Sequence, residues 1–244
     1  MRLTRCHVAL PLHMGGETVL PEHAAAHLSR VLRLRPGDAC VLFNGDGHDY
    51  AAQLLAVGKR ELRVRILERS AVDNESPLAI VLVQGIARGE KMDLVLQKAT
   101  ELGVAAIVPV AAERSEVRLD AERAEKRLAH WRSVVESACG QCGRARVPEV
   151  SAPARLDQAL AGLQGEGLRL VLDPDGEHGL AQLQRPASAR AWIAIGPEGG
   201  WSPADRSILH AAGFSGLRLG PRVLRTETAG LAAIAALQSR FGDL

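Results

Sequence analysis

Two rhythms of apolar and polar residues divide the chain. Over the first seventy positions the rhythm is short. Residues 61–67, Glu-Leu-Arg-Val-Arg-Ile-Leu, alternate arginines with aliphatics, the period-2 pattern of a strand with one buried face. Residues 39–43 and 49–56 read as two more strands, joined by Asn44-Gly45-Asp46-Gly47, whose Asn and Gly accept the positive φ that a hairpin turn demands. One short helix is expected over residues 21–32, with Pro21 at its start, where proline's missing N–H costs little. Together these elements predict a small β-barrel. Residues 71–77, polar and holding Pro77, follow as a linker.

Beyond the linker the rhythm lengthens. Residues 78–83 are a continuous apolar run, as a strand buried on both faces requires. Met92, Val95, Leu96, Ala99 and Leu102 form one stripe of a helix over 90–102, stopped by Gly103. Further strands are expected over 105–110, 168–172, 191–195 and 217–219. Further helices are expected over 120–139, over 203–212 behind Ser202 as N-cap, and over 226–241. The face of the last helix formed by Ala229, Ala232, Ala233, Ala236 and Leu237 must be buried. Strands alternating with helices predict an α/β sheet. The expected organisation is therefore an α/β protein of two domains, residues 1–72 and 73–244.

Two of these strands end alike. Residues 191–195 break into Gly196-Pro197-Glu198-Gly199-Gly200, and residues 217–219 into Gly220-Pro221-Arg222-Val223-Leu224-Arg225-Thr226. In an open α/β sheet, ligands bind outside the carboxyl ends of the strands. The glycines let backbone approach a ligand closely, and the prolines stiffen both loops. Two tight turns with no ligand are the competing reading. Neither GxxxxGK[ST] nor a GxGxxG at a first strand-to-helix turn occurs, which argues against ATP hydrolysis and a standard dinucleotide site. Arg222 and Arg225 precede a helix N-terminus, where cations are disfavoured unless they meet something negative. Thr226 reads as that helix's N-cap.

Net charge is only +2, so the chain is no polycation. Residues 1–70 carry ten Lys/Arg against seven Asp/Glu, while residues 151–244 carry nine of each. That surplus, nearly all arginine, suits phosphate contacts at the N-terminal end. The longest apolar stretches fall well short of the roughly 20 residues a membrane span needs. Met1-Arg2-Leu3-Thr4-Arg5 is basic but lacks the apolar core of a signal peptide, so a cytoplasmic protein with no membrane partner is expected. Cys139-Gly140-Gln141-Cys142 is a CxxC with no second pair or nearby His pair to complete a metal site. Reduced thiols and no metal are the expectation.

At this point the residues match a family. GPEGGWSPAD at Gly196–Asp205 and LGPRVLRTETAGLAAI at Leu219–Ile234 resemble the RsmE family of 16S ribosomal RNA uridine N3-methyltransferases. So do HLSRVLRLRPGD from His27, FNGDGHDY from Phe43, GEKMDLVLQKATELGV from Gly89, ERS from Glu113 and ESACGQCGRARVPEV from Glu136. Asp205 stands where the family usually has Glu, and Val223 where Ile is usual. The resemblance implies an N-terminal PUA-like RNA-binding β-barrel and a C-terminal SPOUT α/β domain with a deep trefoil knot. It implies S-adenosylmethionine as cofactor, held by Leu172, Ile195, Gly196, Pro197, Glu198, Gly199, Gly200, Leu219, Gly220, Arg222, Val223, Leu224 and Thr226. It implies 16S ribosomal RNA, on the small ribosomal subunit, as substrate, and a homodimer. RNA would be gripped by Arg30, Arg33, Arg35, Arg63, Arg65, Arg114 and Arg222. Uridine N3 carries a proton and is a poor nucleophile until it leaves. Arg225 is placed to stabilise the resulting anion, and Glu198 to take the proton if burial raises its pKa. Two other readings stand beside this one: a noncatalytic RNA-binding or ribosome-assembly protein, and a related methyltransferase with another RNA target.

Overall fold

The computed structural model describes residues 3–58, 61–116 and 120–244; Met1 and Arg2 of the basic N-terminus lie outside them. The chain forms two compact units, residues 1–75 with 136–147, and residues 76–135 with 148–244.

The first unit is built from β1 (Arg5–His7), β2 (Glu17–Val19), α1 (Glu22–Ala26), β3 (Ala39–Phe43), β4 (His48–Val57) and β5 (Leu62–Ala71). Its sheet runs β1-β3-β4-β5-β2, with β1 parallel to β3 and the other pairs antiparallel. The alternation read in β5 sorts as expected. Leu62, Val64 and Ile66 are buried with Leu28, Leu42 and Leu54 in one core, while Arg63 and Arg65 face solvent. The expected helix over 21–32 is not continuous. At His27 it widens into a single π-helical turn, His27–Val31, closed by the Leu32 N–H on the His27 carbonyl at 3.0 Å. That turn keeps Leu28 fully buried, and Arg33 then reverses the chain with φ of +56°.

The second unit contains β6 (Ala79–Gly85), α2 (Glu90–Glu101), β7 (Val104–Ala111) and the start of α3 (Ala121–Cys142). It continues through β8 (Glu149–Val150), β9 (Ala154–Arg155), α4 (Leu156–Ala161), β10 (Leu168–Leu172) and β11 (His178–Gly179). It ends with β12 (Arg190–Ile195), α5 (Pro203–Ala211), β13 (Ser215–Arg218) and α6 (Thr226–Phe241). Spatial order is β11-β13-β10-β12-β6-β7-β8, with β9 also on β7, and every pairing is parallel. The continuous apolar run Ala191–Ile195 is buried throughout, as a central parallel strand must be. Helix α6 packs on α2, β6 and β12, burying Ala229, Ala233, Ile234 and Leu237; Ala232 and Ala236 are half-buried.

The end of α3 and the turn up to Val147 belong to the first unit. There Arg144 pairs with Glu75, and the Cys139 carbonyl accepts from Arg5 at 2.8 Å. The CxxC therefore lies in packed structure. Burial pushes the Cys139 thiol up to about 12. Among the described residues no cluster of three His, Cys, Asp or Glu could hold a metal ion, and no helix is long and apolar enough to cross a membrane.

Candidate functional site

Because every strand of the second sheet runs the same way, the segments leaving β10, β12 and β13 emerge on one edge. They enclose a cavity of about 610 Å³, within the usual range for a small-molecule site. Leu172, Asp173 and Pro174 at the end of β10 line it, as do Gly196–Trp201 after β12. Leu219, Gly220, Arg222, Val223, Leu224 and Arg225 after β13 form another wall, completed by Thr226, Glu227 and Ala229 of α6, Lys91 of α2, Arg114 and Arg206. Both Gly-Pro loops thus face one cavity, in the place that the strand ends indicated.

Glycine sets how closely these segments approach. A Cβ on Gly85, at the end of β6, would lie 2.6 Å from the Pro197 nitrogen, and one on Gly199 would lie 3.0 Å from the Arg114 carbonyl oxygen. Gly200 and Gly220 hold φ of +66° and +72°, conformations that side chains disfavour. Thr226 ties the loops together. Its hydroxyl donates to the Gly196 carbonyl at 2.5 Å and accepts from Gln84 Nε2 at 3.1 Å. Gln84 also donates to the Gly85 carbonyl at 2.9 Å and is fully buried. The N-cap expectation for Thr226 is therefore corrected. Arg225 occupies the cap position with φ −66° and ψ 154° and makes no side-chain cap bond, which leaves the Thr226 hydroxyl free to bridge.

Glu198 is engaged. Its Oε1 accepts from the Arg88 backbone N–H and from Lys91 Nζ, each at 3.1 Å. Burial pushes its carboxyl up, but those bonds, its own N–H and the Lys91 charge together carry it below the ordinary carboxylate value. The condition under which Glu198 was expected to take a proton, a raised pKa, does not hold. Its geometry instead fastens the first loop to the start of α2. Ser202 and Asp205 fasten the far end of that loop. The Asp205 N–H donates to Ser202 Oγ at 3.0 Å, and Asp205 Oδ2 accepts from the Ser202 N–H at 3.1 Å and the Glu113 N–H at 3.3 Å. An acid at this third helical position completes a capping box, which Asp serves here as Glu would.

Five cations and three carboxylates line the cavity. Lys91 is paired with Glu198, and Arg206 with Asp173. Arg114 Nη1 donates to the Gly199 carbonyl at 3.4 Å. Arg222 and Arg225 are exposed, with no side-chain hydrogen bond or ion pair among the described residues. Two buried atoms in the wall also have no partner among the described residues: the acceptor Glu227 Oε2 and the donor Trp201 Nε1. The surplus positive charge favours a polyanionic ligand at the mouth.

Ile195 is buried in β12 and does not line the cavity, unlike the other twelve expected cofactor contacts. Arg114 and Arg222 are at the cavity. Arg30, Arg33, Arg35, Arg63 and Arg65 are exposed on the first unit, where Arg65 is held by Glu17 at 2.6 Å. Lys91, Asp173, Arg206 and Glu227 were not singled out as contacts from sequence, nor was Gln84. For Gln84 a signal existed, a polar residue inside an apolar strand run.

Residues 74–238 match the family model of an RNA methyltransferase domain, and residues 20–67 that of an RNA methyltransferase PUA domain. Fold and site together define an α/β RNA methyltransferase that carries a PUA domain. Ribosomal RNA small subunit methyltransferase E of Buchnera aphidicola (subsp. Schizaphis graminum) is 31% identical over 243 residues, covering 100% of this chain and 98% of its own. That of Mycobacterium tuberculosis is 32% identical, covering 93% and 89%. The same enzyme of Neisseria gonorrhoeae, solved bound to S-adenosyl methionine, superposes with a TM-score of 0.94 at 42% identity over 99% of each chain. A Legionella pneumophila methyltransferase, solved with bound SAM, gives 0.95 at 39% identity over 100% of each. The chain belongs to the ribosomal RNA small subunit methyltransferase E family.

Proposed function

We propose that this protein uses S-adenosylmethionine to methylate N3 of one uridine in 16S ribosomal RNA, on the small subunit, in the cytoplasm and as a homodimer. The observation that carries the reading is the cavity framed by both Gly-Pro loops, with two arginines at its mouth that are unpaired among the described residues. The cavity fits the cofactor: Gly200 and Gly220 border open space that a Cβ would fill, and the buried donor Trp201 Nε1 stands without a partner among the described residues. When bound there, the cofactor supplies a methyl group already activated on a sulfonium.

The protein's own residues bind and orient. Backbone groups of Gly196–Gly200 and Leu219–Leu224, with Leu172 and Thr226, would hold the cofactor. Glu198 and Lys91 keep the first loop seated, and Ile195 supports it from inside the sheet. Arg225 stabilises the charge that develops on the uracil as its N3 proton leaves. Arg114 and Arg222 contact the RNA backbone at the mouth, and Arg30, Arg33, Arg35, Arg63 and Arg65 contact it on the PUA unit. With aromatic residues only 3% of the chain, base-stacking platforms contribute little and recognition rests on charge and shape.

Labelled S-adenosylmethionine, incubated with the protein and small subunits lacking the modification, tests this directly. The label is expected on a uridine N3. Absence of transfer from an intact, cofactor-binding protein would leave the noncatalytic reading, and transfer to another RNA the reading of a related enzyme. Sedimentation of the free protein tests the dimer.

A further inference from the structure

Resting on the uridine N3 reading, we infer that Glu227 is the residue that takes the N3 proton. Three carboxylates line the cavity: Asp173, Glu198 and Glu227. Asp173 is neutralised by Arg206, and Glu198 by Lys91 and the Arg88 N–H. Glu227 alone of the three has an oxygen, Oε2, that is shut off from solvent and has no hydrogen-bond partner among the described residues. A desolvated acceptor without a donor is costly. The other oxygen, Oε1, is not shut off in this way, so the carboxylate is reached from the cavity on that side.

Glu227 is held at the cavity by its place in the fold. Glu227 sits in the first turn of α6, next to Thr226, whose hydroxyl is bonded to the Gly196 carbonyl at 2.5 Å. Two residues before it is Arg225, unpaired among the described residues and also lining the cavity. Glu227 and Arg225 thus both line the cavity, an acceptor for a proton and a cation for the charge it leaves behind. A uracil entering there presents one N–H donor, at N3, between two carbonyl oxygens. The N3 proton passes to Glu227 Oε1, the carboxylate oxygen that is not shut off from solvent, and the electron pair of the N–H bond remains on N3. That pair forms the new bond to the methyl carbon as the carbon–sulfur pair leaves with sulfur. The protonated carboxyl then yields its proton to water when the products depart. No further reagent is required.

The test compares Glu227→Gln with the full-length wild-type protein on reconstituted small subunits whose 16S RNA carries either uridine or 5-fluorouridine. Fluorine makes the N3 proton more acidic, so less depends on a base. On uridine the variant is expected to lose at least about 100-fold in single-turnover rate, the scale of a lost general base. Its affinity for S-adenosylmethionine, read by calorimetry, is expected to change less than about threefold, and the rate defect is expected to shrink at least about tenfold on 5-fluorouridine. An unchanged rate on uridine overturns the inference. So does a cofactor affinity weakened more than about tenfold with the rate at saturation retained, because Glu227 would then be a cofactor ligand. An equal loss on both RNAs, marking a structural role, overturns it as well. If Glu227→Gln does not fold, Glu227→Asp, which sets the carboxylate back by one methylene, carries the same comparison. A wild-type protein that methylates no uridine at all would instead remove the proposed function itself.

Discussion

Arg225 shows how much one residue's position conveys before any contact is known. A guanidinium at a helix N-terminus opposes the local field, and the structure leaves it exposed at the cavity mouth with no ion pair among the described residues to offset it. Arg225→Ala is expected to lower the single-turnover rate by about 100- to 1,000-fold, as loss of a transition-state donor does. Cofactor affinity, measured separately by calorimetry, should move by less than about tenfold, and an unaffected rate would show that Arg225 takes no part in catalysis. Thr226 conveys less in sequence, because an ordinary cap accounts for it. Only the fold brings the Gly196 carbonyl and the Gln84 amide to its hydroxyl. Thr226→Val takes its donor from the Gly196 carbonyl and leaves Gln84 Nε2 only the Gly85 carbonyl among the described residues, and is expected to cost about 1–3 kcal/mol in denaturant unfolding. It should also weaken cofactor binding, because the two loops lose their common tie. Glu198 shows the opposite case. Its place in the glycine loop was legible, but its chemistry depended on Lys91 and the Arg88 N–H, more than a hundred positions away.

At the scale of elements, the long-period half of the chain was read well because buried parallel strands and amphipathic helices leave strong local patterns. The expected strand over 168–172 and the last helix over 226–241 coincide with β10 and α6. The helix over 21–32 was read too simply. Residue spacing does not distinguish an α-turn from the π-turn that keeps Leu28 inside. Helix α5 was anchored on Ser202, and the structure adds the reciprocal bond from Asp205, which also holds the Glu113 N–H. Asp205→Ala removes half of that box and is expected to cost about 1 kcal/mol, more where the buried Ser202 donor stays unpaired. The drop in thermal midpoint should come with weakened cofactor affinity, since α5 begins where the first loop ends. A variant with unchanged stability would show that water replaces the carboxylate.

For the whole molecule, the buried thiols give a pH signature. Burial raises Cys6 from 9.0 to about 11, and Cys40 and Cys139 from 9.0 to about 12. Thiols held neutral in the fold contribute stability that is fully present below pH 9 and lost as pH rises towards 12. The denaturant midpoint should therefore fall on going from pH 8 to pH 10.5, and a Cys139→Ala variant should lose less over that range. At pH 8 a disulfide reagent should react with Cys142 at most in the native protein and with all four cysteines after unfolding. Rapid labelling of Cys139 in the native state would contradict its burial. By itself the sequence determined the α/β alternation, the buried faces and the two loops, because hydrophobic periodicity and glycine-proline chemistry act between near neighbours. The tertiary structure alone decided that residues 136–147 pack with the first unit, that Thr226 bridges rather than caps, and which carboxylate in the cavity is left without a partner. Those outcomes depend on groups that only the parallel sheet brings within hydrogen-bond reach, and a distance across thirty to a hundred and forty residues leaves no mark on local pattern.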